Sequence, residues 1–328
     1  MTNPQEVLVA QVRSLYARLH ANALEASDTV RFDDVRFDDL GGYVRRIYSS
    51  QEEFERSFSE FRAPYDIFRA FPAGKVVLDI GAHWGYSAVA MRHQGCKARI
   101  ISIEAMRSNA SALNALKELD KGNYDWFNVA VGAQENILTF YIPMLNGHAA
   151  TGLSSTGGTL DDFFADHLAG LAQTYPSRRA DGVNEIKLAV NRIRGACLDT
   201  ILLERGDIAP HVAAVKMDVE GHEAPALEGA ASLFTTQKPL LMLEGANRNQ
   251  QATSVMMGYG YFHCERHEGR LTPHLAYSYA NDGFWVHPDR VEEYRSLGLF
   301  EGRTPTPAEV AIPPETDGVV RKGSAGQG

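Results

Sequence analysis

VVLDIGAHWGYSAVAMRHQG, residues Val76 to Gly95, reads as a short strand, a glycine turn and a helix. The apolar run VVLDI is too short for a helix and suits a strand buried on both faces. Asp79 stands near its tip. Gly81 permits a sharp turn and a close backbone approach. Gly85 then opens into a helix that Gly95 closes. Doubly wound α/β sheets build nucleotide sites this way, because ligands settle outside the carboxyl ends of the strands.

The same rhythm extends outward. RIISIEA (99–105) is a second strand, SNASALNALKELD (108–120) a helix and YDWFNVAVG (124–132) a third strand. ILTFYIP (137–143) reads as an extra strand ended by Pro143. After it, residues 144–185 turn rich in Gly, Ser, Thr, Asp and Ala, with one helical piece at 160–171. A segment this long without strong periodicity is usually functional; its apolar helix face and glycines suggest a cover over the site. Ser154 and Ser155 open it as loop residues or acceptor contacts. Order returns with the helix CLDTILLERG, capped by Asp199. The strand AAVKMD, the helix APALEGAASLF and the strand PLLMLEG follow. GYFHCER and GFWVHP form an antiparallel pair. Upstream, Leu8, Val12, Leu15 and Leu19 mark an amphipathic helix over 4–26, and Gln51 to Phe71 reads as another, with Phe54, Phe58 and Phe61 on one side. The duplication VRFDDVRFDD (30–39) suggests an edge strand or hairpin. Alternating strands and helices predict a mainly parallel sheet with helices on both faces.

Composition narrows the function. With 44% hydrophobic and 22% charged residues the chain is that of an ordinary globular protein. A net charge of -9 argues against a nucleic-acid partner. Cys96, Cys197 and Cys264 are scattered, which suits free thiols in a reducing, cytoplasmic setting. No signal peptide is read at the N-terminus, and no run approaches ~18 apolar residues, so no membrane span is expected. Self-association is left open.

Two clusters carry chemistry. The spacing Gly81-x-x-x-Gly85 lacks the G-x-G-x-x-G register that a dinucleotide pyrophosphate needs, which disfavours NAD. Glu104 closes the second strand about 20 residues after the glycine loop, where an acidic side chain chelates ribose hydroxyls. In the other cluster, Asp218 ends a central strand, and Glu220, Gly221, His222 and Glu223 turn into the next helix. Glu244 ends the neighbouring strand, with Asn247 beyond. His222, or a carboxylate among Asp218, Glu220 and Glu244, suits a general base acting on a hydroxyl. Oxygens of Asp218, Glu244 and Asn247 also suit Mg²⁺, the less favoured alternative because no dedicated ligand spacing is present. Glu223 reads as a helix-start residue.

VVLDIGAHWG, ISIEA, NVAVG and VKMDVEGHEAPALEGA together resemble the FkbM family of S-adenosylmethionine-dependent methyltransferases, over about Val76 to His287. The resemblance implies a Rossmann-like class I methyltransferase with a seven-stranded sheet at 73–300, carrying the insertion at 144–185. A helical and strand extension at 1–72 and a poorly ordered tail at 301–328 flank it. It implies that Asp79, Gly81, Ala82, His83 and Gly85 surround the methionine half of the cofactor, with Asp218. Glu104 would hold the ribose, and Asn128 to Ala130 would line the adenine. O-methylation of a small-molecule acceptor is expected, with N-methylation as runner-up. A non-catalytic adenosine-cofactor-binding protein or an NAD-dependent Rossmann protein stands as the reading from another class.

Overall fold

The computed structural model describes residues 4–35, 37, 39–58, 63–149, 185–244, 250–274 and 282–306. The expected helix at 160–171, Ser154, Ser155, Asn247, the tail from 307 and the side chain of Glu244 lie outside the described residues. So does nearly all of the segment read as a cover.

The chain begins with α1 (Pro4–His20), a short strand β1 (Thr29–Arg31), α2 (Gly41–Ser49), α3 (Gln51–Phe58) and a 3-10 segment, Ala63–Ala70. It then winds through β2 (Val76–Ile80), α4 (Tyr86–His93), β3 (Arg99–Glu104), α5 (Ala110–Leu119) and β4 (Tyr124–Asn128). Next come β5 (Ala130–Val131), β6 (Asn136–Leu145), β7 (His148–Ala149) and β8 (Ile186–Ala196). The rest is α6 (Leu198–Glu204), β9 (Val212–Met217), α7 (Glu223–Glu228), β10 (Leu240–Glu244), α8 (Gln250–Gly258), β11 (Phe262–His267), β12 (Arg270–Pro273), β13 (Asp282–Val286) and α9 (Val291–Ser296).

The main sheet runs β12-β11-β13-β10-β9-β2-β3-β4. Its five strands from β10 to β4 are parallel, and β13, β11 and β12 are antiparallel. Among the described residues it therefore has eight strands, where seven are expected. The chain turns back after β11 through Glu268 and Gly269, both at positive φ, and lays β12 along the edge. Alternate side chains feed two cores. Val77, Ile100 and Met242 pack with α2, α4 and α5 on one face. Leu78, Ile101, Val215 and Leu241 pack with α6, α7 and α8 on the other.

A second sheet runs β1-β8-β6-β7, with β5 also paired to β8. The β6–β8 ladder keeps register from Asn136↔Gly195 to Leu145↔Ile186. Pro143 therefore does not end the strand as expected; it pairs with Leu188. Its missing N–H costs little, because among the described residues β7 pairs only with Met144 and Leu145 and leaves that edge open. Of the edge strand or hairpin expected at 30–39, the described residues show the edge strand: β1 pairs parallel with β8 at the edge of this sheet, and Phe32–Asp34 is a 3-10 turn. α1 ends at His20, and its expected stripe of Leu8, Val12, Leu15 and Leu19 is buried with Leu145 and Leu188. Of the helix expected over 51–71, the described residues show α3 over Gln51–Phe58 and a 3-10 segment over Ala63–Ala70. Asp199 does not cap its own helix. Its carboxylate accepts from Ser232 N and Leu233 N at 2.7 and 3.0 Å, holding the turn after α7. Among the described residues no helix is long and apolar enough to cross a membrane.

Candidate functional site

The floor of the site is a polar row across three parallel strands. Asp79 is in register with Ser102 on β3 and with Lys216 on β9, so all three side chains share one sheet face. Asp79 is fully buried. It accepts from Ser87 Oγ at 2.7 Å and Ser102 Oγ at 3.1 Å, with Lys216 Nζ at 3.6 Å from its other oxygen. Lys216 also donates to the Gly81 carbonyl at 3.0 Å and to Asp218 Oδ2 at 3.2 Å. A buried lysine is tolerated only with such partners.

Over this floor runs the glycine turn. Gly81 has φ +73°, and a Cβ there would lie 1.6 Å from the Asp218 carbonyl oxygen. The close approach that demands glycine is thus between two loops of the protein. Gly85, at φ +91°, is pressed against Leu113 and Leu116 of α5, so it serves helix packing. Between them His83 takes a left-handed φ of 51°. That conformation turns its N–H onto Glu104 Oε2 at 2.7 Å.

Two clefts meet at this turn. The larger in total space, about 750 Å³ with the open solvent at its mouth included, lies over the tips of β2, β3 and β9. Glu104 forms its polar wall. Besides the His83 bond, its carboxylate accepts from Met106 N at 2.6 Å and Asn109 Nδ2 at 3.4 Å. A carboxylate has about four acceptor positions, so one is left for a ligand. Burial pushes the Glu104 carboxyl up to about 7, against the hydrogen bonds and Lys216 that favour its ionised form. Apolar walls come from Val129, Val131, Met106 and Phe140. Phe140 belongs to β6, so the second sheet contributes to the cleft. The smaller cleft, about 560 Å³, is walled by Tyr65, Trp84 and Tyr86 and by Lys216 and Asp218. Gly81, His83 and Asp218 line both.

The turn after β9 brings Asp218, Glu220 and His222 to the larger cleft. Glu223 instead turns inward: it is buried, and its Oε1 accepts from Val219 N and Gly221 N at 3.2 and 3.1 Å. It therefore holds the turn, as a helix-start residue should. Glu220 sits at the exposed rim with φ 51°; desolvation, Asp218 and Glu223 push its carboxyl upward. Burial lowers the His222 imidazole below its ordinary value against the pull of Glu223, which keeps the ring neutral near pH 7. Burial lowers His83 further, to about 4, with Asp218 opposing and Lys216 assisting.

Of the residues read from sequence, Gly81, Ala82, His83, Glu104, Ala130, Asp218, Glu220 and His222 line the clefts. Asp79 belongs to the buried floor and lines neither cleft, and Gly85 packs on α5. Asn128 turns its amide onto the carbonyls of Glu104 and Ala105 at 2.9 Å each, fixing the β3 tip. β10 lies beside β9, which sets position 244 near position 218. Among the described residues no three His, Cys, Asp or Glu side chains are grouped to hold a metal ion. Sequence reading missed Lys216, Tyr65, Trp84, Tyr86, Met106 and Phe140. Only Lys216 carried a local signal, a charge inside the otherwise apolar strand VAAVKM.

A model of the methyltransferase FkbM domain matches residues 79–268. Comparison with curated proteins finds no match. Among solved structures, the chain is similar to methyltransferase FkbM from Methylobacillus flagellatus KT, at 17% identity and TM-score 0.40; the match covers 85% of this chain and 60% of that one. It is also similar to an O-methyltransferase from Bacillus cereus in complex with SAH, at 10% identity and TM-score 0.31, covering 84% and 89%. A third, an SAH-bound methyltransferase from Podospora anserina, has 11% identity and TM-score 0.34, covering 85% and 94%.

Proposed function

The chain belongs to the FkbM methyltransferase family, and from that premise we propose that it is an S-adenosylmethionine-dependent O-methyltransferase acting on a small acceptor. The observation that carries the reading is the larger cleft itself. It pairs a buried carboxylate that keeps one acceptor position with an apolar lining of Val129, Val131, Met106 and Phe140. A ribose diol suits the first and a purine the second. When bound, S-adenosylmethionine supplies a methyl group activated by a sulfonium.

The chain's residues then have distinct tasks. Glu104 orients the nucleoside, and the row of Asp79, Lys216 and Asp218 fixes the floor. His222, neutral and facing the cleft, takes the proton of an acceptor hydroxyl, with Glu220 at the rim to pass it to water. Engagement of Asp218 by Lys216 makes the carboxylate a poor metal ligand, which favours the general-base route over Mg²⁺. A second reading gives the proton to His83, because it lines both clefts at their junction.

The test is calorimetric titration with S-adenosylmethionine, S-adenosylhomocysteine and NAD. Binding of the first two at micromolar strength, and none of NAD, is expected; no heat and no thermal shift with either would sink the reading.

A further inference from the structure

We infer that Gly132 is a positioning residue for His222: bare backbone at this point seats the edge of the imidazole and holds the ring in the wall of the larger cleft. The inference rests on the reading of His222 as the base and deepens it, because a base needs a fixed orientation as well as a free nitrogen.

Gly132 closes the stretch NVAVG, whose Val129, Ala130 and Val131 line the larger cleft. It is buried and does not belong to the glycines with positive φ, so a left-handed backbone is not what demands a glycine here. What an added Cβ would meet is the His222 ring: it would lie 3.3 Å from Nε2 and 4.0 Å from Cδ2. Apart from the chain neighbours of Gly132, no other described residue comes within 4 Å of that position. The first distance is shorter than the roughly 3.5–4.0 Å of an optimal non-bonded contact, so the ring would have to move. The imidazole alone therefore requires the glycine.

Packing has this task because hydrogen bonding does not. Among the described residues no hydrogen bond holds the His222 ring. Its orientation then depends on the surface it lies against, and that surface must itself be fixed. Gly132 is fixed on two sides. Its N–H donates to the Ala196 carbonyl at 3.0 Å, which ties it to the end of β8. On the other side lies α7. His222 stands at the start of this helix and Gly229 at its end. A Cβ on Gly229 would come 2.0 Å from the Gly132 carbonyl oxygen. Both ends of α7 bear on one residue. A slide of the helix is resisted at Gly229, so the His222 side chain keeps its place against Gly132. Through β8, the second sheet sets where the base stands.

Gly132→Ala is the test, read on the full chain without an acceptor. By NMR the wild-type protein should show a cross-peak between the Gly132 α protons and His222 Hδ2. In the variant the methyl group drives the ring out of the wall toward solvent. Burial is what lowers the His222 imidazole, so its titration should move up toward the ordinary value of ~6.5, with a rise in proton affinity of about twofold or more. Calorimetry should give an affinity for S-adenosylhomocysteine within about twofold of wild type, since Gly132 does not line the cleft. The melting temperature of the variant should fall, and adding His222→Ala should remove that fall, because the crowded ring is gone. A His222 titration unchanged in Gly132→Ala, or an equal fall with and without the ring, would make Gly132 merely structural and overturn the proposal. If the variants do not fold, the wild-type cross-peak decides, and its absence overturns it. Methyl transfer that survives His222→Gln would remove the base reading while the contact stood, a separate result.

Discussion

Replacing Glu104 by Gln should flatten the pH dependence of stability. The carboxyl is 5% exposed, and burial carries it from 4.5 to about 7 in the folded chain. Because the folded value lies above the unfolded one, its contribution is fully present below pH 4.5 and is lost as pH rises through about 7. At about 1.4 kcal/mol per tenfold change in proton affinity, the loss between pH 5 and 8 is on the order of 3 kcal/mol. Gln removes that ionisation. Its amide oxygen still accepts from Met106 N, but its NH₂ faces the N–H of His83, a cost of about 1–3 kcal/mol that does not vary with pH. The assay is urea unfolding at pH 5 and pH 8. Wild-type stability should fall across this range by about 3 kcal/mol more than that of the variant. Saturating S-adenosylhomocysteine should reduce the wild-type fall, because ribose hydroxyls donate to the ionised carboxylate and draw its proton affinity down. Parallel pH profiles for the two unliganded proteins would refute the reasoning.

Gly81→Ala should destabilise the chain by on the order of 3 kcal/mol or more, since its Cβ would meet the Asp218 backbone and its φ is +73°; a melting temperature within a degree or two of wild type would contradict this. His222→Gln should cut kcat more than cofactor affinity and remove an acid limb lying below the ordinary imidazole value near ~6.5. A limb nearer 4 that His83→Gln abolishes would transfer the proton to His83. Arg266 grips Asp66 with two bonds of 2.7 Å and so fixes the segment that carries Tyr65. Arg266→Ala should therefore weaken S-adenosylhomocysteine binding several-fold, and equal binding would show that Tyr65 needs no such anchor. Turnover should survive EDTA; restoration of a lost activity by Mg²⁺ would reinstate the metal route.

Legibility of the fold followed the range of the interaction that decides each element. β2, β3, β9 and β10 are apolar runs whose burial shows in their own residues, and Glu104 sits at a fixed distance from the glycine turn. β8 escaped notice because IKLAVNRIRGA mixes lysine and arginines with its apolar residues. Its strand character comes from the ladder to β6, whose pairing Leu145↔Ile186 spans the whole intervening segment. The partners of Asp199, Ser232 and Leu233, lie beyond its own helix and are hidden from a local reading for the same reason. The site divides along this line too. The turn from Asp218 to Glu223 is local and readable, whereas Phe140 and Tyr65 reach the clefts from elements far away in sequence. Lys216 lies between these cases. A lysine flanked by Val215 and Met217 in an apolar strand must find a counter-charge, and a strand next in the sheet is where one can sit. Asp79, the acidic residue inside VVLDI, is the matching exception on β2. Two charges of opposite sign in two buried strands thus imply that the strands are neighbours, in the register Asp79↔Lys216 that the sheet displays.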